Sequence, residues 1–185
     1  MMELIKRREE IISTPPETII YVYHHNQPAF DELKKLVPNI KFTTNIFDID
    51  DLLFGPTLVI IDDKMDELSN KSEQKYITNL YTRGSHHQSI SVITLLQNCY
   101  EPGLRKISIN SQYKVYFDQP MDLETIKLVG RRMYPKYPKF IPDAYEKATR
   151  NKFGYLFIFM HPAQNKKYRV RSSIFPEDCE VYVPS

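Results

Sequence analysis

The sequence predicts an α/β protein with a mostly parallel sheet and helices on both faces. Five short, nearly continuous apolar runs lie along the chain, as is typical of strands buried on both faces. Segments with apolar residues at helical spacing lie between many of them, and strands that alternate with helices indicate α/β layers. The 185 residues are 42% hydrophobic and 26% charged, which suits one domain with its own core.

The predicted elements can be placed in order. An amphipathic, helix-like segment opens the chain, and Pro15-Pro16 separates it from the first apolar run. The Pro-rich stretch 134–142 is interpreted as an ordered connector between helices. The predicted strands are 19–23, 58–61, 90–96, 115–117 and 155–160, and the predicted helices are 28–37, 67–81, one capped by Asp122 and one with Pro142 in its first turn.

Composition excludes several classes of protein. A net charge of +2 is too small to indicate nucleic-acid binding by bulk electrostatics. Cys99 and Cys179 lie far apart and form no CxxC pair, which argues against a disulfide framework or a Cys-rich zinc site. No apolar run approaches the ~20 residues of a membrane span, and the N-terminus lacks the apolar centre of a signal peptide. We therefore expect an intracellular protein of the cytoplasm or nucleus, with no membrane partner and no secretion.

Two aspartates follow the second apolar run directly, in LVIIDDKMDE. In a parallel sheet, ligands bind at the carboxyl ends of the strands. Asp62 there can hold a hydrated Mg²⁺ whose other ligands are phosphate oxygens, and Asp63 can orient or deprotonate a water molecule. The alternative is that both aspartates only end a strand and begin a turn, because the pattern is a loose one.

The third run, SISVITLLQN, ends in Gln97 and Asn98. An amide at the tip of a neighbouring strand could contact a γ-phosphate or position water. The alternative is that these amides bond to the nearby backbone.

The order of the motifs carries a more specific resemblance. LVIIDDKMDE, LYTRGSHHQSISVITLLQNCY, RKISINSQYKVYFDQPMD, FIPDAYEKATRNKFGYLFIFMHP and RSSIFP follow one another along the chain. Together they resemble the DNA-packaging ATPases of Polinton/Maverick-like elements and related double-stranded DNA viruses, within the FtsK/HerA superfamily of P-loop motors. The resemblance runs from about Pro15 to Phe175.

The resemblance implies a three-layer P-loop NTPase (RecA/ASCE-like) fold and a role for several residues. Asp62 matches the Walker B aspartate that binds Mg²⁺, Asp63 the acidic residue that acts on water, and Gln97 the sensor glutamine. Arg83 and Arg105 are candidates for an arginine that reaches a neighbouring subunit's nucleotide. The alternative for both arginines is a solvated surface position.

The resemblance also implies partners and cofactors. The complete parent protein would use Mg²⁺ and ATP, form a homo-oligomeric ring, and act on double-stranded DNA together with capsid proteins. For the present chain alone, binding of Mg²⁺ and ATP is expected to be weak or absent.

One motif of the family is missing. A phosphate-binding loop requires GxxxxGK[ST], and none of the five glycines is followed by the rest of it. The residues at the front resemble the tail of the helix that follows this loop. We therefore expect a single partial P-loop domain over 1–185, with the helix tail at 1–14, the family-like core at 15–175 and a C-terminal tail at 176–185.

The missing loop has two expected consequences. The family's first strand normally lies inside the sheet, between the sensor strand and a later strand. Without it, strand edges are left open unless later strands close the gap or another chain supplies the strand, and marginal stability with self-association is expected. The chain is also expected to lack significant ATPase activity, because most phosphate contacts would be absent.

Three functions follow as hypotheses. The first is a fragment of an ATP-driven motor that packages or translocates double-stranded DNA for a virus-like mobile element. The second is a non-enzymatic remnant or adaptor that derives from such an ATPase and binds a protein partner or DNA. The third is a small α/β protein whose acidic strand end binds a metal or a phosphorylated ligand.

Overall fold

The computed structural model describes residues 1–64, 70–84, 89–97, 104–177 and 179–184. The chain divides into two compact units, residues 1–110 and 111–185. The first unit contains a parallel sheet and the second an antiparallel sheet, each with helices, so the α/β class is confirmed. The prediction of a single domain with internal boundaries near residues 14 and 175 stays a prediction.

The first unit is built on a four-stranded sheet in which every neighbouring pair is parallel. The strand order is β2-β1-β3-β4, so β3 lies between β1 and β4. Its elements are α1 (Met2–Lys6), α2 (Arg8–Ile11), β1 (Thr18–Tyr23), α3 (Ala29–Leu36), β2 (Ile40–Thr43), α4 (Ile49–Leu52), β3 (Thr57–Asp62), α5 (Lys71–Asn79), which a π-helical turn (Leu80–Gly84) continues, β4 (Ile90–Leu95) and α6 (Leu104–Asn110).

The two central strands β1 and β3 are buried on both faces, as their unbroken apolar runs predict. All residues of both strands are buried except the last one of each. Alternate side chains enter two separate cores, because successive residues of a strand point to opposite faces. One core contains Ile20, Val22, Val59 and Ile61, and the other contains residues such as Ile60 together with side chains of α3. Each central strand therefore contributes side chains to both cores.

The sequence analysis missed the edge strand β2. Its four residues, IKFT, are too short and too mixed in polarity to stand out as a buried run. The strand carries one charged residue, Lys41, whose Nζ donates a hydrogen bond to the carbonyl oxygen of Leu52 at 2.9 Å. A short edge strand with a lysine is a common way to prevent unwanted pairing.

The other edge of this sheet is formed by β4. Among the described residues, β4 pairs only with β3. The strand that follows, β5 (Tyr113–Phe117), pairs with β6 (Tyr155–Phe159) in the second sheet instead. Among the described residues, no later strand therefore pairs with β4.

The second unit is built on a four-stranded sheet in the order β5-β6-β7-β8, with every pair antiparallel. The prediction that the runs at 115–117 and 155–160 belong to a parallel sheet is therefore wrong. The exposure of β5 alternates between exposed and half-buried residues, as on a strand with one covered face. The remaining elements are α7 (Leu123–Met133), α8 (Phe140–Ala148), β7 (Val170–Arg171) and β8 (Val181–Tyr182).

Helices α7 and α8 cover one face of this sheet. Ile126 of α7 and Tyr145 of α8 share a core with Leu156 and Ile158 of β6. The Pro-rich connector between the two helices is ordered by backbone hydrogen bonds, as predicted: Tyr137 donates to the carbonyl oxygen of Tyr134. Among the described residues, no helix is long and apolar enough to cross a membrane.

Candidate functional site

The candidate site lies at the carboxyl edge of the parallel sheet. Asp62 is the last residue of β3, and its register partners are Tyr23 on β1 and Leu95 on β4. Asp63 follows at once, and Gln97 lies two residues beyond the end of β4. The fold therefore brings the three predicted side chains to one end of two adjacent strands.

Asp62 is held from the β1 side. The hydroxyl of Tyr21 donates to its Oδ2 at 2.7 Å, and Nε2 of Gln27 donates to the same oxygen at 3.4 Å. Among the described residues, no hydrogen bond reaches Oδ1. Asp62 is half-buried, so part of the residue remains accessible at this edge.

The Tyr21 side chain that holds Asp62 is itself rigidly placed. It is 4% exposed, and its ring centroid lies 5.1 Å from that of Phe30 and 5.7 Å from that of Phe42. Burial of the phenol, followed by its hydrogen bond to Asp62 and the charge of that carboxylate, raises the pKa of Tyr21 well above its ordinary value. The hydroxyl therefore stays protonated and donates to Asp62 at neutral pH.

Asp63 is held from the opposite side, by β4. Nε2 of Gln97 donates to its Oδ1 at 2.7 Å, and both side chains are exposed. The backbone of Asp63 has φ 52°, a left-handed conformation that Asp adopts more readily than most residues. The sharp change of direction after β3 leaves the two aspartates with different neighbours, Tyr21 for Asp62 and Gln97 for Asp63.

Lys64 anchors the chain just after the aspartates. It is only 5% exposed, and its Nζ donates to the carbonyl oxygen of Thr44 at 2.8 Å. A buried ammonium requires such partners because desolvation is costly. The bond ties the segment after β3 to the loop that follows β2.

The two candidate arginines lie on elements other than the strand that carries the aspartates. Arg83 lies in the π-helical turn after α5, and its side chain is outside the described part of the chain. Arg105 is exposed on α6 and forms no ion pair with another described residue. Of the family signature at 82–87, residues 85–87 are also outside the described residues. A role of either arginine in a neighbouring subunit stays a prediction.

The donor set at this edge fits Mg²⁺. Carboxylate and amide oxygens are hard ligands, which magnesium prefers over nitrogen or sulfur. Within the described part of the chain, no group of three or more His, Cys, Asp or Glu side chains could hold a metal ion as a closed cage. A cation here would keep most of its ligands as water or phosphate oxygens, as magnesium commonly does.

Sequence reasoning missed Tyr21 and Gln27. A signal for Tyr21 was present, because a tyrosine inside a buried strand requires a partner for its hydroxyl. Gln27 lies in the loop after β1, and nothing in its local sequence indicates that it reaches Asp62. Both contacts span more than thirty residues of sequence, so only the folded chain reveals them.

Comparison of the chain with protein-family models, curated proteins and solved structures finds no match.

Proposed function

We propose that the first unit is the magnesium-binding and water-orienting part of a nucleotide site in an ATP-driven motor that packages or translocates double-stranded DNA. The proposed architecture is the three-layer P-loop fold of the family that the sequence resembles. The observation that carries the proposal is the convergence of Asp62, Asp63 and Gln97 at the carboxyl ends of two adjacent parallel strands.

The strand order supports the proposal further. In the resembled family, the missing first strand lies beside the sensor strand. The strand that ends just before Gln97 is β4, and β4 is an edge of the described sheet. In this proposal, the strand that leads into the phosphate-binding loop would therefore pair with the edge that β4 presents.

Each side chain has a distinct task in this proposal. Asp62 offers Oδ1 to the cation, since Oδ2 is already bonded to Tyr21. Asp63 accepts a hydrogen bond or a proton from a water molecule, and Gln97 holds the Asp63 carboxylate in one orientation. Bound Mg²⁺ would supply positive charge to phosphate oxygens.

These 185 residues contain no GxxxxGK[ST], so in this proposal the phosphate contacts come from a loop that they do not include. The cradle of backbone N–H groups and the lysine of that loop supply most contacts to the phosphates. We therefore propose that this chain alone does not hydrolyse ATP significantly. In this proposal, a homo-oligomeric ring, double-stranded DNA and a capsid partner would be engaged by a longer parent protein.

The first test is to read the coding sequence upstream of Met1. An in-frame strand followed by GxxxxGK[ST] would support the motor. A stop codon or unrelated sequence would contradict it and favour the alternative, a non-enzymatic remnant or adaptor that binds a protein partner or DNA.

The second test measures ATP turnover in the chain as given and in the chain extended by such an upstream loop. We expect no turnover in the first and magnesium-dependent turnover in the second. In the extended chain, Asp63→Asn should lower the rate by about 10²–10⁴-fold, the usual contribution of a general base. Asp51→Asn, at an exposed position of α4, is the matched control and should have no effect. Turnover in the chain as given that Asp63→Asn abolishes would contradict the requirement for an external loop.

A further inference from the structure

The two oxygens of the Asp62 carboxylate differ in the hydrogen bonds that they accept. Both hydrogen bonds that it accepts from Tyr21 and Gln27 reach Oδ2, and among the described residues Oδ1 accepts none. A carboxylate that binds a cation through both oxygens would have to give up or weaken these bonds. The geometry on the β1 side therefore favours contact through one oxygen.

The bond from Tyr21 cannot easily move aside. Its ring packs against those of Phe30 and Phe42, which also contact each other, and only 4% of the residue is exposed. Interiors are close-packed, so a buried ring has little freedom to shift. Gln27 is exposed and makes the longer contact, so Tyr21 carries most of the restriction.

This restriction bears on which cation fits. Ca²⁺ takes six to eight oxygen ligands and often binds a carboxylate through both oxygens, whereas Mg²⁺ requires a compact octahedron with more water. Mn²⁺ shares the preference of Mg²⁺ for hard oxygen ligands in octahedral sites. A carboxylate limited to one oxygen suits the octahedral ions.

We propose that Tyr21, assisted by Gln27, is a positioning residue that limits Asp62 to one-oxygen binding and so makes the site select Mg²⁺ or Mn²⁺ over Ca²⁺. The inference rests on the proposed function, in which Asp62 is the cation ligand. It goes beyond that function by assigning metal selectivity to a tyrosine outside the resembled motifs.

A purely structural role for Tyr21 makes a different prediction. If the hydroxyl only provides a hydrogen bond to a half-buried carboxylate, its removal should change the binding affinity of all cations by the same factor. Selectivity, measured as the ratio of the Ca²⁺ to the Mg²⁺ affinity, separates the two roles because general effects on the site cancel in the ratio.

The experiment titrates the intact chain with Mn²⁺ at concentrations high enough to populate the weak site expected of the chain alone. Binding is followed by electron paramagnetic resonance, and Mn²⁺ is then displaced with Mg²⁺ or Ca²⁺. We expect the wild type to prefer Mg²⁺. In Tyr21→Phe, the ratio of Ca²⁺ to Mg²⁺ affinity should rise about fivefold, the effect of losing one hydrogen bond that competes for Oδ2. An unchanged ratio in a folded Tyr21→Phe protein would overturn the inference.

Two further variants make the result decisive. Tyr23→Phe is the matched control: Tyr23 lies on the same strand and also contacts the rings of Phe30 and Phe42, but no hydrogen bond joins it to Asp62 among the described residues. Its ratio should equal that of the wild type. If Tyr21→Phe does not fold, Gln27→Leu tests the same oxygen from an exposed position and should shift the ratio in the same direction by a smaller factor; no shift would overturn the inference.

Failure of the proposed function gives a distinct result. If Asp62→Asn binds Mn²⁺ as the wild type does, Asp62 is not the ligand, and both the proposed site and the inference are wrong. If Asp62→Asn abolishes binding but Tyr21→Phe leaves the ratio unchanged, only the inference is wrong.

Discussion

Single tyrosine hydroxyls link the strands of the first unit to the segments around its carboxyl edge. Tyr21 reaches from β1 to Asp62, and Tyr81 in the π-helical turn bonds to the hydroxyl of Thr94 on β4 at 2.9 Å. Burial raises the pKa of Tyr81 above its ordinary value. Burial of these tyrosine side chains also makes the fold sensitive to alkaline pH, because a buried phenolate is disfavoured.

The alkaline sensitivity can be measured at Tyr81. Its pKa is higher in the folded chain than in the unfolded chain, so its contribution is complete below about pH 10 and is lost as the pH rises further. We expect the free energy of unfolding to fall above about pH 10. In Tyr81→Phe this fall should be shallower by up to about 1.4 kcal/mol per pH unit, the linkage of one proton.

Urea unfolding followed by circular dichroism between about pH 9 and about pH 11 tests this expectation. Thr94→Val is the matched control, because it removes the same hydrogen bond and keeps the phenol. Because the bond to Thr94 lowers the pKa of Tyr81, its removal raises that pKa further, and the control should show a fall at least as steep as that of the wild type. An equal slope in Tyr81→Phe and the wild type would show that Tyr81 does not carry the effect.

Helices α7 and α8 pack closely because a glycine lies on α7 where the two helices meet. Gly130 is buried on α7, and a Cβ added there would lie 2.7 Å from the carbonyl oxygen of Pro138 and 3.1 Å from Cδ of Pro142. The absent side chain lets the Pro-rich connector and the first turn of α8 approach α7 closely. Conformational freedom is not the reason for glycine here, because the position is helical.

Gly130→Ala should therefore destabilise the second unit. Overpacking in a core costs about 1–3 kcal/mol, and the better helix propensity of Ala offsets about 1 kcal/mol of it. Thermal unfolding should show a lower midpoint for this variant. Arg132→Ala, at an exposed position of the same helix, is the control and should leave the midpoint nearly unchanged. If the Gly130→Ala protein unfolds at the same midpoint as the control, the connector moves to accommodate the added methyl group without loss of stability.

The edge strands of the first sheet, β4 and β2, matter for the association of whole molecules. β4 has six residues, ISVITL, with no charge and no proline, and it pairs on one side only among the described residues. The opposite edge, β2, is shorter and carries Lys41. An uncharged strand edge is a template for pairing with another chain. Marginal stability and self-association therefore remain our expectation.

Self-association can be tested by sedimentation over a range of concentrations. The wild type should gain mass as its concentration rises, and Ser91→Lys, which places a charge at an exposed position of β4, should remain monomeric. Asn79→Lys, exposed at the end of α5, adds the same charge away from that edge and should behave as the wild type does. A monomeric wild type with a sharp two-state melt would contradict the expectation.

Much of the fold could be predicted because hydrophobic periodicity is local. The unbroken runs of β1 and β3 identified strands buried on both faces, and the stripes of α3 and α7 identified helices. The strand β2 was not predicted, because four residues of mixed polarity carry no periodic signal. β5 and β6 were assigned to a parallel sheet because a short apolar run does not reveal the direction of its partner.

The candidate site was predictable in its residues but not in its bonds. The sequence by itself determined that Asp62, Asp63 and Gln97 lie at or just beyond the carboxyl ends of β3 and β4, because chain order and apolar runs place them there. Only the tertiary structure decided that Tyr21 holds one oxygen of Asp62 and that Gln97 holds Asp63. The physical reason is that strand pairing brings together residues far apart in the chain, and a hydrogen bond depends on positions within a few tenths of an ångström that no local pattern encodes.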